Sequence, residues 1–259
     1  MEPRISVITI SYNSASTIEE TIKSVVSQNY SNFEYIVIDG ASTDGTQQII
    51  NRYREVISVF VSEKDSGISN AFNKGINMAS GDLIVLINSD DYLLPGVLRK
   101  VAETWDGKSD IWSGNYIAFN EQTGDKRRIR PSVNFPVMPF FCKPVHQGRF
   151  ITKTLYNKLG GYDERIRVPM DLDFLMRADR NGASFQYEDI DVSVFRLGGA
   201  TSQSIFNKKD DYFACVLNNG GNKIQAYVFY IFLIITQQFK CFFVRFGKDI
   251  IRSIRYKKV

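Results

Sequence analysis

Four short apolar runs, each closed by a polar turn, punctuate the first ninety or so residues. Residues 5–10 end in Ser11-Tyr12-Asn13-Ser14, and residues 33–38 open into Asp39-Gly40-Ala41-Ser42-Thr43-Asp44-Gly45-Thr46. Residues 57–61 run into Ser62-Glu63-Lys64-Asp65-Ser66-Gly67, and residues 83–87 into Asn88-Ser89-Asp90-Asp91. Runs of five or six residues, mostly β-branched, aliphatic or aromatic, bounded by turn signals predict buried strands. Between them the apolar spacing changes to that of helices. Ile18, Ile22, Val25 and Val26 form one stripe, with Ser16 three residues before Glu19 as a capping box. Residues 46–53 predict a second helix, and Ile68, Phe72, Ile76 and Ala79 mark a third, over 68–78. Pro95 suits the first turn of a fourth, carrying Val97, Leu98 and Val101. This βαβα order predicts a parallel sheet with right-handed crossovers.

The pattern changes after residue 110. Residues 111–119 and 126–133 predict strands around a turn at 122–125, an antiparallel addition to a mostly parallel sheet. Pro131, Pro136, Pro139 and Pro144 mark a loop-rich stretch leading to His146-Gln147-Gly148 and a short helix over 152–159. A helix starts after Pro169 with Asp171 and Asp173 in its first turn, two residues apart and therefore aimed in different directions. Residues 184–187 and 192–195 predict a strand pair ending in Arg196 and a glycine loop over 198–202.

Composition narrows the class. A chain of 259 residues, 44% hydrophobic and 23% charged, can bury a sizeable core and is not of disordered type. The net charge of +4 is mild and gives no ground for a nucleic-acid partner. Cys142, Cys215 and Cys241 lie far apart without a CxxC pair, which fits a reducing compartment and neither a disulfide framework nor a zinc site. The first residues pass straight into a strand without the charged and apolar regions of a signal peptide, so a cytoplasmic location is expected.

The acids at the strand tips carry the chemistry. Ligands of open α/β sheets bind beyond the C-terminal ends of the strands. The adjacent carboxylates Asp90 and Asp91 call there for a counter-charge, most simply a divalent cation with a phosphorylated ligand. Helix capping and turn chemistry account for Asp39, Asp44 or Asp65 taken singly, but less well for all three at successive tips.

The segments ISVITISYNS, VVSQNYSNFEYIVIDGASTDGT and EKDSGISNAFNKGINMASGDLIVLINSDDYLLPG together resemble an inverting family 2 glycosyltransferase of the bacterial surface-polysaccharide type, over about residues 4–200. The resemblance implies the GT-A fold. It also implies transfer of a sugar from a nucleotide-diphosphate donor, expected to be UDP-linked, to a hydroxyl of a glycan or lipid-linked saccharide with help from Mn²⁺ or Mg²⁺. By the same resemblance Ser11, Tyr12 and Asn13, with Asp39, Ser42 and Asp44, hold the nucleoside, and Asp65 and Asn73 complete the donor side. Asn88-Ser89-Asp90 stands where the family has its DxD motif. Asn88 departs from that pattern, which leaves Asp90 as the metal ligand, Asn88 and Ser89 near the ribose, and Asp91 as a support or sugar contact. Asp171 falls at the family's catalytic base, with Met170 where a Glu is common. His146 and Gln147 fall on the acceptor-side wall, although an isolated histidine can equally be a satisfied core residue. Asp173 reads as a helix-start charge.

Two other classes share parts of this pattern. A sugar-1-phosphate nucleotidyltransferase shares the α/β sheet and Mg²⁺ but usually has a basic, glycine-rich phosphate loop, and ISYNSAST has no Lys or Arg. A non-catalytic nucleotide-sugar-binding protein would not need Asp90 and Asp171. The expected organisation is a catalytic domain over 1–205, with a nucleotide-sugar-binding half over 1–105 and an acceptor-side half over 106–205, then a helical tail over 206–259. In the tail, residues 226–235 are ten consecutive apolar residues, whereas a bilayer span needs about 20. Residues 240–258 hold seven Lys or Arg and one acid, Asp249. Basic and aromatic residues on a helix predict peripheral contact with an anionic membrane on its cytoplasmic face. Packing on the catalytic domain or a homodimer interface is the alternative.

Overall fold

The computed structural model describes residues 2–198 and 208–255, with side chains up to Phe239. The glycine loop expected over 198–202 lies, apart from Gly198, outside the described residues, as do the side chains of the basic end. Strands β1 (Ile5–Ser11), β2 (Phe33–Asp39), β3 (Val59–Ser62) and β4 (Leu83–Asn88) form a parallel array, with β1 between β2 and β4 and β3 outside β2. Helices α1 (Ile18–Val26), α2 (Thr46–Asn51) and α3 (Ile68–Met78) make the crossovers, and β5 (Tyr92–Leu93) precedes α4 (Val97–Thr104).

The continuous apolar runs are explained by burial on both sides. Along β1, Ile5 and Val7 belong to one core cluster and Ile8 and Ile10 to the other; along β4, Leu83, Val85 and Ile87 face one way and Ile84 and Leu86 the other. Alternating side chains that are apolar on both faces need cover on both, and the helices supply it.

The second half extends the same sheet. Strands β6 (Ile111–Phe119), β7 (Lys126–Ile129), β8 (Arg149–Thr152) and β9 (Phe185–Arg196) complete the order β3-β2-β1-β4-β8-β6-β9-β5, with β7 paired to β6. β8 runs antiparallel to β4 and β6, and β9 runs parallel to β6. Helices α5 (Lys153–Leu159) and α6 (Met170–Arg180) pack on it.

Three local expectations change. The strand pair over 184–195 is one strand of 12 residues, its turn replaced by a register shift against β6 at Asn115. The capping box of α1 does not form: Thr17 is the N-cap, and the Glu19 carboxylate instead accepts from Tyr53 Oη at 2.8 Å and pairs with Lys23. The strand expected over 126–133 stops at Ile129, before Pro131.

Helices α7 (Lys209–Asn218) and α8 (Lys223–Arg255) close the fold. Cys215, Val216, Ala226 and Phe229 are buried in the core cluster that also holds Phe174, and Phe232 meets the rings of Phe140 and Phe141. The opposite side of α8 exposes Ile224, Tyr227, Val228, Ile231, Ile235 and Phe239. Among the described residues no helix is long and apolar enough to cross a membrane.

Candidate active site

The loops after β1, β2, β3 and β4 gather at one end of the sheet because the strands are parallel. Asp39, at the end of β2, is fully buried and saturated. It accepts from Ser11 Oγ at 3.0 Å, Ser42 N at 2.9 Å, Ser42 Oγ at 2.5 Å and Ser62 Oγ at 2.7 Å, so one carboxylate knots three strand ends. Asp44 accepts from Thr46 N and Oγ1 and from Ala15 N, and the Thr46 hydroxyl leads the donors that hold its carboxyl below the usual range. Asn13, left-handed at φ 49°, accepts from Thr43 N through its side chain and donates its own N–H to Ser42 Oγ. Tyr12 is exposed beside Gly40, where a Cβ would come within 2.6 Å of Asp65 Oδ2 and 3.2 Å of the Tyr12 ring. Ser11, Tyr12, Asn13, Asp39, Ser42, Asp44 and Asp65 thus share one rim. Asn73 is held elsewhere: it donates to Tyr162 O and Glu164 and accepts from Tyr162 N, fastening the loop after α5.

The β4 tip joins this rim through Ser89, whose hydroxyl lies 2.6 Å from that of Ser14. The two adjacent acids there have opposite surroundings. Asp91 is fully buried and accepts from Gln147 Nε2 at 3.1 Å, Arg196 N at 2.9 Å and Asn88 Nδ2 at 3.3 Å. Burial first, and the charge of Asp90 second, push its carboxyl up to about 7. Asp90 is only partly buried. Among the described residues no side chain donates to its carboxylate; its carbonyl accepts from Arg196 Nη1 at 2.6 Å. Burial raises its pKa, and the Arg196 charge opposes the rise.

Across from this tip, the carboxylate of Asp171 in the first turn of α6 receives two donors on one oxygen. His146 N and His146 Nδ1 both reach Asp171 Oδ2, at 3.1 and 3.0 Å. The adjacent residue Gln147 bonds Asp91, so the dipeptide His146-Gln147 bridges α6 to the acid tip. Gly148 follows at φ 78°, with Gly114 O 2.7 Å from any Cβ placed there, so the bridge ends in a turn that only glycine fits. Arg149, fully buried, fixes the loop from behind by donating to Val145 O, Ser113 Oγ and Ser132 O. Asp173 faces away, buried against Arg177 and Asn219, in agreement with its reading as a structural acid.

A divalent cation fits only one mode here. Among the described residues no three His, Cys, Asp or Glu side chains gather as a cage. One uncommitted, partly buried carboxylate is what Mg²⁺ or Mn²⁺ uses when the ligand's phosphates and water supply the remaining oxygens. Asp90 meets that description and Asp91, already saturated, does not.

Arg196 escaped sequence reasoning. Besides its contacts with Asp90 and Asp91 it donates to Glu20 Oε2 at 2.5 Å and Glu121 Oε1 at 2.6 Å and lies over the Tyr92 ring. A lone arginine at a strand end carries no sequence signal, beyond its place just before a glycine pair. Two clefts of about 430 and 410 Å³ lie apart from the acids. Asn115, Arg128, Arg130, Tyr187 and Asp189 line the first, and the second sits beside Asp173.

The profile described as glycosyl transferase family 2 matches residues 6–165, more than half of the chain. An uncharacterized glycosyltransferase of Mycobacterium tuberculosis is 35% identical over 184 residues, covering 68% of this chain and 69% of the relative. TuaG of Bacillus subtilis, named for teichuronic acid biosynthesis, is 38% identical over 126 residues, covering 48% and 50%. Among solved structures, S. aureus TarS 1–349 with UDP-GlcNAc superposes with a TM-score of 0.67 at 21% identity, covering 83% of this chain and 66% of that one. A mannosyltransferase from Pyrobaculum calidifontis, in complex with GDP-Man and Mn²⁺, superposes with a TM-score of 0.64 at 19% identity, covering 90% and 69%. The likeness to these structures is one of fold.

Proposed function

This chain belongs to glycosyl transferase family 2, and from that premise we propose that it is an inverting enzyme of surface-polysaccharide assembly. It moves a hexosyl or N-acetylhexosaminyl group from a UDP-linked donor to a hydroxyl of a glycan or lipid-linked saccharide. The observation that carries the reading is the His146-Gln147 bridge, which fastens one oxygen of Asp171 and joins it to Asp91, the neighbour of Asp90.

The rim of Ser11, Tyr12, Asn13, Ser42 and Asp65 receives the nucleoside, with Asp39 and Asp44 shaping its loops from within. Asn88 and Ser89 face the ribose. Asp90 would hold Mn²⁺ or Mg²⁺, which would supply positive charge at the departing diphosphate. On the other side, Asp171 takes the proton of the acceptor hydroxyl. The electron pair of that O–H bond forms the new bond to the anomeric carbon, and the bond to the phosphate oxygen breaks with its pair leaving on the nucleoside diphosphate.

A thermal-shift screen of UDP- and GDP-sugars with and without Mn²⁺ tests donor binding, since a ligand of the native state alone raises apparent stability. Product analysis then separates the classes. Release of UDP or GDP supports transfer, pyrophosphate would indicate a nucleotidyltransferase, and binding without turnover a nucleotide-sugar-binding protein.

The reading also assigns a place. The exposed apolar side of α8, and the seven Lys or Arg over 240–258, suit an anionic membrane surface on its cytoplasmic side, where a lipid-linked acceptor is presented. Flotation with anionic liposomes tests this, and a full-length protein that stays out of the lipid fraction overturns it.

A further inference from the structure

The pair His146 and Asp171 leaves two polar atoms unexplained. Among the described residues Asp171 Oδ1 and His146 Nε2 are both buried and without a hydrogen-bond partner, although unsatisfied buried polar atoms are rare in folded proteins. Their other atoms are fully committed to each other. An ionised carboxylate can only accept, so the 3.0 Å contact requires the proton on His146 Nδ1, and His146 N donates to the same oxygen at 3.1 Å. Two donors on Oδ2 fix the plane of the carboxylate, and the Tyr162 hydroxyl lies against the same side chain.

The imidazole is itself held. It is 7% exposed, and Phe72 of α3 packs edge-on to it with ring centroids 5.2 Å apart. The groups facing it are Asp171 from α6 and Asp90 and Asp91 from the β4 tip; Arg149 and the Tyr162 hydroxyl lie near Asp171 from behind. An imidazole kept this dry without such acids would lose its proton more readily. Here burial lowers its pKa, but the three carboxylates, Asp171 foremost, outweigh burial and raise it above the ordinary histidine value.

We propose that His146 is a positioning residue for sugar transfer: it clamps Asp171 through one carboxylate oxygen, so that the carboxylate is held in one plane for the acceptor hydroxyl, and it stabilises the arrangement as Asp171 takes the proton. The proposal rests on the assignment of Asp171 as base. It names a role for a histidine that the neighbouring contacts with Asp91 and the nucleotide rim do not require. A clamp of this kind acts on alignment, where small displacements of a reacting group cost about 10²-fold in rate.

His146 is the only histidine of the chain, so its imidazole NMR signals are unambiguous. Titrated in the full-length protein with metal chelated, it is expected to carry its neutral-state proton on Nδ1 and to titrate above about 6.5. In Asp171→Asn the titration should fall. An Nε2-protonated neutral ring, or the same titration in wild type and Asp171→Asn, overturns the clamp. A kinetic cycle supplies the second arm, with UDP-GlcNAc and Mn²⁺ as the probe and UDP release as the readout. His146→Ala should lower kcat by about 10²-fold with KM for the donor nearly unchanged. His146→Asn, whose amide can donate in place of Nδ1–H, should recover most of the loss. In the Asp171→Asn background His146→Ala should cost nothing further, because its effect runs through the missing base. Additive losses, or equal losses in His146→Ala and His146→Asn, would overturn the proposal, as would loss of a cooperative thermal transition in both variants. The two arms also separate the proposal from the reading beneath it. A normal clamp by NMR with no donor turned over leaves the clamp and removes the transferase assignment; turnover that needs Asp171 but ignores His146 does the reverse.

Discussion

The strand-tip loops and the first turn of α6 treat their carboxylates differently. At the strand tips Asp39 has four donors and Asp91 three, and both are fully buried. On the opposing wall Asp171 keeps one oxygen without a partner, and at the tip between them the Asp90 carboxylate is uncommitted among the described residues. A saturated buried acid has no lone pair in reach of a ligand and serves the architecture. An acid with an unpartnered oxygen still has acceptor capacity to spare. Two of these aspartates are spent on the fold and two keep acceptor capacity, although all four lie at element ends.

The largest effect should come from the open wall. Asp171→Asn preserves shape and removes proton acceptance, so transfer should drop by about 10²- to 10⁴-fold while donor affinity and melting temperature stay near wild type. Transfer surviving within a few-fold would place the base elsewhere.

Asp90→Asn sharpens the same contrast at the tip. Metal-dependent tightening of nucleotide binding, followed by calorimetry with and without Mn²⁺, should disappear, with no loss of folding, because no described neighbour depends on this carboxylate. Unchanged metal dependence would break the distinction between Asp90 and Asp91.

The saturated acids should respond in the other sense. Asp39→Ala strands the hydroxyls of Ser11, Ser42 and Ser62, and unfolding by denaturant should show a loss of about 1–3 kcal/mol or more, since buried donors left without partners cost about that much each. Asp91 adds a pH dependence. Its folded pKa of about 7 lies above the usual aspartate value near 4. Its contribution to stability is therefore complete below about pH 4 and withdrawn as the pH rises through about 7. In metal-free protein Asp91→Asn, neutral throughout, should flatten the fall of melting temperature across that window. A slope unchanged by the substitution would mean that Asp91 is charged in the folded state at neutral pH.

The smallest effect is expected farthest from the cleft. Truncation after Phe239 keeps the buried Ala226 and Phe229 of α8 and removes the basic end. Liposome binding should weaken and lose its salt sensitivity, while nucleotide binding persists. A truncated protein that binds anionic vesicles as before, with the same salt response, would move the contact to another surface.

Sequence alone determined the α/β class, the four parallel strands with their crossover helices, and the gathering of Ser11, Asp39, Asp65 and Asp90 at one sheet end. These follow from local periodicity and from the rule that parallel strands end together. The start of α6 at Met170 and the outward turn of Asp173 from Asp171 were legible for the same reason: helix geometry is set within a few residues. Tertiary structure decided what each acid has left to offer. Asp91 is sealed by Gln147, 56 residues away, and by the backbone of Arg196, 105 residues away. Asp171 is clamped by a histidine 25 residues before it, and the expected strand pair became the single strand β9 because β6 offered it a continuous edge. A residue's type and its element can be read from its neighbours in sequence. Whether its hydrogen-bonding capacity is already spent depends on donors brought in from distant elements, and only the packed chain fixes those.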